Sequence, residues 1–323
     1  MRTILAGAVA SGALMLAQGA LAQTKWDLPA AYPATNFHTV TLQKFADGVK
    51  AATGGKLEVT IHANGSLFKA PEIKRAVQTA QAPIGEVLMV NLENEDAVFG
   101  VDGVPFLATS YNASKKLAAA QKPVVEKKLA GQGIVLLYTC AWPPQGIYAK
   151  KDLNALADME GLKWRAYSPA TSRLAELVKA QPITIQAAEL SQALATGKVD
   201  SFMSSGATGV DSKVWEQLTH FYDTQAWLPK NMVIVNKAAY DKLDKAAQDA
   251  VMAEGKKAET ACWAESEKLT AGFLETLAKN GMKVQKPNEK FAAELAGLGK
   301  TMTDDWAKKA GADGQAILDA YKK

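Results

Sequence analysis

The chain has 323 residues, with 37 Lys and Arg against 33 Asp and Glu and a formal net charge of +4. This mildly basic balance, without a Lys/Arg cluster beyond a solvated face, excludes a nucleic-acid or other polyanion partner from the reading. Cys140 and Cys262 alone make no disulfide framework, and the sequence leaves open whether they are bonded.

Residues 1–22 read as a secretory signal peptide. Arg2 supplies the charged start, Ile4 to Leu16 are apolar or small, and Ala20-Leu21-Ala22 forms a small-x-small cleavage site before Gln23. The apolar run is too short and too rich in Ala and Gly for a membrane span, so the expectation is an exported, soluble protein. About 300 mature residues suffice for one large or two ordinary domains.

In chain order, Trp26 to Tyr32 reads as a strand and Pro33 to His38 as a loop. Phe37, Val40, Leu42, Phe45 and Val49 suit an amphipathic helix that stops at Gly54-Gly55. Leu57 to Ile61 alternates as a second strand before an Asn64-Gly65 turn. Pro71 to Gln81 has helical spacing, and Val87 to Val90 is a continuous apolar run, as expected of a strand buried on both faces of a parallel sheet. The alternation predicts an α/β fold.

Ile134 to Tyr138 is a further buried strand, and Trp142-Pro143-Pro144-Gln145-Gly146 departs from it abruptly. Two prolines and a glycine beside aromatic residues predict a rigid crossover between two domains. Gly161 to Ala166 reads as a strand carrying Arg165, followed by Ser168 as N-cap and Pro169 at the first helical position. A strand at Pro182 to Ile185, a helix over 188–196 and a strand at Val199 to Met203 come next, the last opening into a small polar loop over 204–209. Trp227 to Asn231 resembles a second crossover feeding a strand. From Asp244 to Asn280 there is no proline, which predicts a helix on the order of 50 Å long that crosses both domains. A short strand at 282–284 and a helical tail from Glu289 follow. The expected lobes are 23–141 with about 229–265, and 142–228 with about 266–323.

No catalytic constellation assembles. His38, His62 and His220 lie in unrelated segments without ligand spacing, so no metal is expected. Gly206 to Gly209 lacks the pattern of a phosphate-binding loop, and no cofactor is implied. Ser204 and Ser205 have no identifiable base, which argues against an enzyme. Arg165 before a helix N-terminus suits a carboxylate, because fork and helix both present donors and positive potential. Tyr32, Phe37, Phe68, Trp142, Tyr148, Trp164 and Trp227 fall at loops or strand ends near the crossovers, and suggest an apolar pocket around that anchor.

Asp158-Met159-Glu160-Gly161-Leu162-Lys163-Trp164-Arg165 resembles the D-x-x-G-L-K-x-R motif of solute receptors of tripartite ATP-independent periplasmic (TRAP) transporters, the DctP-like or C4-dicarboxylate-receptor family. Pro182, Glu189, Ala193, Leu194, Gly197, Val199 and Asp200 continue it, as do Thr53 to Lys56, Val104 to Leu107 and the long helix. The resemblance implies a two-lobed periplasmic binding protein with crossover strands and one long shared helix, closing on an organic anion and passing it to membrane permease subunits. It puts the ligand carboxylate on Arg165. Gln145 stands where many members carry a second arginine, Ser204 where an asparagine often stands, and Ser168 and Asn231 match other pocket positions.

With a neutral Gln145 the favoured ligand is a monocarboxylate with an aromatic or apolar body, such as an aromatic acid or a 2-oxo acid. Trp142, Trp164, Trp227, Phe68 and Phe37 are the expected walls, and Gln145, Ser168, Ser204, Asn231 and Asn91 the polar partners. The alternatives are a C4-dicarboxylate or uronate receptor of the same family and a receptor of an ATP-driven importer, which would lack the long continuous helix.

Overall fold

The computed structural model describes residues 23–323; residues 1–22, read from the sequence as a signal peptide, lie outside the described residues. The chain begins with β1 (Thr24–Pro29), α1 (Phe37–Ala52) and β2 (Leu57–His62), with β1 and β2 parallel. Asn36 caps α1 by accepting the His38 N–H at 2.8 Å. Gly54 and Gly55 end it at φ +59° and +80°, a left-handed turn that side chains with a Cβ resist. Then come α2 (Ile73–Gln78), β3 (Ile84–Leu88), α3 (Tyr111–Ala130) and β4 (Ile134–Ala141).

The chain crosses at Trp142 to Pro144 into β5 (Gln145–Ala149), β6 (Lys163–Ala166), α4 (Pro169–Leu177), β7 (Gln181–Thr184), α5 (Leu190–Ala195), β8 (Ser201–Ser205), α6 (Gly206–Asp211) and β9 (His220–Tyr222). It returns at Trp227 to Pro229 into β10 (Lys230–Asn236) and α7 (Lys237–Asp241). The long α8 (Lys245–Lys279), β11 (Lys283–Gln285) and α9 (Glu289–Lys322) complete it. Among the described residues the first lobe holds the β1-β2 pair and a three-stranded sheet β3-β10-β4, and the second a six-stranded sheet β11-β9-β5-β8-β6-β7.

Several local expectations change. β3 is antiparallel to β10 rather than part of a parallel sheet, and Met89 and Val90 have left it for a short 3-10 turn. The 204–209 segment is not a loop: Ser205 accepts the Thr208 N–H and starts α6. The helix expected over 71–81 is a 3-10 turn, Ala70–Glu72, followed by α2, and the one over 188–196 shortens to α5 after another such turn.

The two crossovers lie side by side. Trp142 N–H donates to the Pro229 carbonyl at 2.8 Å, Gln145 N–H to that of Trp227 at 2.9 Å, and Ala226 N–H to that of Gln145 at 3.0 Å. Both long helices are shared. α8 spans 35 residues, about 50 Å. Asp244 caps its start, α1 and β4 pack on its first half, and α6 and β11 on its second. Cys140 on β4 is disulfide-bonded to Cys262 on α8.

α9 buries Phe291, Leu295 and Met302 in the core of the second lobe around Trp164. Past these, Trp306 and Ile317 pack with Val98, Val101 and Leu117 of the first lobe, and the Trp306 indole donates to the Ala97 carbonyl. Residues 306–322 therefore sit on the first lobe, although 266–323 read as part of the second; their apolar stripe did not say which core it would meet.

Candidate functional site

A cavity of about 370 Å³ opens between the lobes. Tyr32, Glu86 and Asn91 line it from the first lobe, Arg165 and Ser204 from the second, and the crossovers contribute Trp142, Gln145 and Pro229.

Arg165 sits mid-strand in β6, flanked by Ile183 of β7 and Phe202 of β8, which fixes its backbone from both sides. It is 3% exposed. Its Nε donates to the Ile185 carbonyl at 2.9 Å, and its guanidinium carbon stands 5.0 Å from the Tyr167 ring centroid and 5.9 Å from that of Phe202. Among the described residues no carboxylate forms an ion pair with it. Burial pulls its pKa down to about 10, partly opposed by Tyr167 and Tyr32, so it stays charged at neutral pH. A buried, unpaired guanidinium facing a cavity is a site for an anion.

A relay of neutral groups holds the back wall. Trp227 Nε1 donates to the Tyr167 hydroxyl at 3.3 Å, that hydroxyl donates to Gln145 Oε1 at 3.0 Å, and Gln145 Nε2 donates to the Pro143 carbonyl at 3.1 Å. Burial pushes the Tyr167 and Tyr32 hydroxyls well above the usual phenol range, which keeps both protonated as donors. Ser168 lines the cavity, but its Oγ is committed to capping α4 through the Thr171 N–H at 3.2 Å. Lys74 is buried at the cavity edge and is ion-paired with Glu95.

Of the residues singled out in the sequence, Arg165, Gln145, Ser168, Ser204, Trp142 and Asn91 line this one cavity. Asn231, Trp164, Trp227, Phe37 and Phe68 do not reach the cavity. Trp164 alternates with Arg165 along β6 and so faces the opposite side of the sheet, into the core. Trp227 stands behind Tyr167, and Phe37 packs edge-on to Trp142 at 5.5 Å with Phe68 against the same core. Asn231 is 1% exposed and braces Trp142 and Tyr32 from behind. The walls are therefore less aromatic than expected.

Tyr32 was visible only as one of several loop aromatics. Tyr167, Glu86 and Lys74 are further cavity residues that the sequence reading passed over. Tyr167 shares the alternation of Arg165, two positions on. Glu86 is an acid inside the otherwise apolar stretch Ile84 to Leu88, a signal because isolated buried carboxylates are costly. His38 lies within reach of the sulfurs of Cys140 and Cys262, but these form a disulfide and offer no thiolate for a metal.

Two α/β lobes joined by paired crossovers, with a buried unpaired cation in the cleft, define a solute-binding receptor rather than an enzyme. Residues 30–309 match the model of DctP, the bacterial extracellular solute-binding protein family 7, and the chain belongs to that family, whose members serve as TRAP solute receptors.

The structure resembles that of DctP6, a Bordetella pertussis extracytoplasmic solute receptor binding pyroglutamic acid, with a TM-score of 0.92 and 58% identity over 93% of this chain and 99% of that one. A marine metagenome TRAP solute binding protein specific for pyroglutamate gives a TM-score of 0.92 and 51% identity over 93% and 99%. DctP7 of Bordetella pertussis, which also binds pyroglutamic acid, gives 0.92 and 48% over 93% and 100%.

Proposed function

We propose that this chain is the periplasmic receptor of a TRAP transporter that captures a small cyclic monocarboxylate, pyroglutamate or a close relative, and delivers it to the membrane permease. The observation that carries the reading is the buried Arg165 guanidinium, unpaired among the described residues, at a cavity of about 370 Å³. One ligand carboxylate would complete it. Closure of the lobes around the paired crossovers would exclude water and strengthen that ion pair.

The rest of the cavity suits a compact polar ring rather than a second charge. Gln145 holds a neutral relay and Lys74 is already paired with Glu95. The identities of 58%, 51% and 48% to receptors that bind pyroglutamate support the same ligand. This narrows the expectation from an aromatic or 2-oxo acid, because Trp142 is the single tryptophan lining the cavity among the described residues.

The test is calorimetric titration of the mature protein with L-pyroglutamate, benzoate, a branched 2-oxo acid and succinate. Tight binding of pyroglutamate alone is expected, with loss of at least about a hundredfold in Arg165→Ala, which leaves the carboxylate without its cation. Binding of succinate but not pyroglutamate would overturn the ligand and leave the receptor class standing.

A further inference from the structure

Glu86 is a charged group in the cavity wall that the carboxylate anchor does not use. It is 2% exposed on β3, with Val233 of β10 as its backbone partner. Its Oε1 stands 3.5 Å from His38 Nδ1, beyond a good hydrogen bond, and its Oε2 is buried with no hydrogen-bond partner among the described residues. His38 itself is packed against Trp142 at a ring-centroid distance of 4.2 Å, so it backs the cavity wall to which Glu86 and Trp142 belong. A buried acceptor left unmatched by the protein costs stability unless something else supplies the donor.

We infer that Glu86 is the specificity-determining residue of the pocket and accepts an N–H of the ligand. An ionised carboxylate accepts only, whereas the neighbouring Asn91 amide can turn a donor or an acceptor to a ligand and so discriminates poorly. With Arg165 and Glu86 in one cavity, the site is a two-pole receptor: a cation for the ligand's carboxylate and an anion for its N–H. A lactam acid carries both groups in one small ring. A dicarboxylate carries no N–H and would bring a second negative charge toward Glu86. The inference rests on the reading of the cavity as a pyroglutamate-type site.

The experiment compares L-pyroglutamate with its lactone analogue, 5-oxotetrahydrofuran-2-carboxylate, in which a ring oxygen replaces the N–H. Calorimetry on the wild-type protein should give a lactam preference of at least about tenfold, the range of a hydrogen bond to a charged acceptor. In Glu86→Gln and Glu86→Met that preference should shrink toward unity, while both ligands still depend on Arg165. Equal wild-type binding of lactam and lactone, or an undiminished preference in folded variants, overturns the role of Glu86. The first comparison needs no variant to fold. Absence of pyroglutamate binding by the wild type, with another acid bound through Arg165, would instead refute the ligand reading on which the inference rests.

Discussion

The indole of Trp142 donates its Nε1–H to Asn231 Oδ1 at 2.9 Å, which ties the first crossover to the strand that follows the second. The same oxygen lies 3.4 Å from the Tyr32 hydroxyl, so one amide positions two aromatic walls of the cavity. Asn231 therefore acts on the cavity by positioning these two walls. Asn231→Ala should cost about 1–3 kcal/mol by leaving both donors unpaired, and should weaken ligand binding severalfold with Arg165 intact. Chemical denaturation and calorimetry on the same variant separate the two losses; unchanged affinity would show that the aromatic walls hold themselves.

Arg165 is retained at a cost to the unliganded protein, because its charge is buried without a carboxylate. Arg165→Met should leave the thermal midpoint of the free protein unchanged or higher, while abolishing measurable binding. A marked fall in midpoint would mean that the arginine is structural. Thermal unfolding with and without ligand reads both arms.

The pH dependence follows from the same group. With the folded pKa pulled down to about 10, below that of a free guanidinium, the site keeps its charge across neutral pH. Affinity should be flat from about pH 6 to pH 9, fall as pH rises through about 10, and fall at the acid end as the ligand carboxylate protonates. Stability of the free protein moves the other way. The unfolded chain holds this proton more tightly, so the contribution of Arg165 to folding becomes more favourable as pH climbs above about 10. Isothermal titrations across pH check the first trend, and a decline already between pH 7 and 8 would contradict it.

Just past the second crossover, Lys230 and Asp102 form an ion pair with both side chains 1% exposed. Asp102 Oδ2 also accepts the Lys230 backbone N–H at 2.7 Å, which fixes the start of β10. Burial raises the Asp102 pKa and lowers that of Lys230, and each partner offsets the shift of the other. Asp102→Ala should cost about 3–5 kcal/mol, because it strands a buried ammonium. The double variant Asp102→Leu with Lys230→Met should recover much of that loss, as denaturant midpoints would reveal.

Where one local rule acts alone, the sequence was readable. The proline-free stretch from Asp244 to Asn280 became α8, capped at both of those residues, and Ser168-Pro169 opened α4 as read. Arg165 was legible because a strand, a cap and a motif converged on it. Packing partners were harder to read. Pro123 lies inside α3, where a missing N–H argues against the helix that the first-lobe core nonetheless holds in place. The direction of β3 depends on β10, nearly 150 residues later, and neither strand carries that in its own pattern. The cavity walls failed for a related reason: an aromatic residue at a strand end can face ligand or core, and Trp164, Trp227 and Phe37 all went to the core.

The disulfide at Cys262 gives α8 a mechanical character. It pins the helix to β4 partway along, and the remaining residues to Lys279 project over the second lobe as a lever arm of about 26 Å. With the pivot fixed, a tilt of only about 5° at Cys262 would swing the far tip by about 2 Å, as simple trigonometry on that rise requires. The second lobe, packed on that tip through Leu274 and Leu277, would travel with it. Small angular changes near the disulfide would thus become displacements of ångström size at the mouth of the cleft.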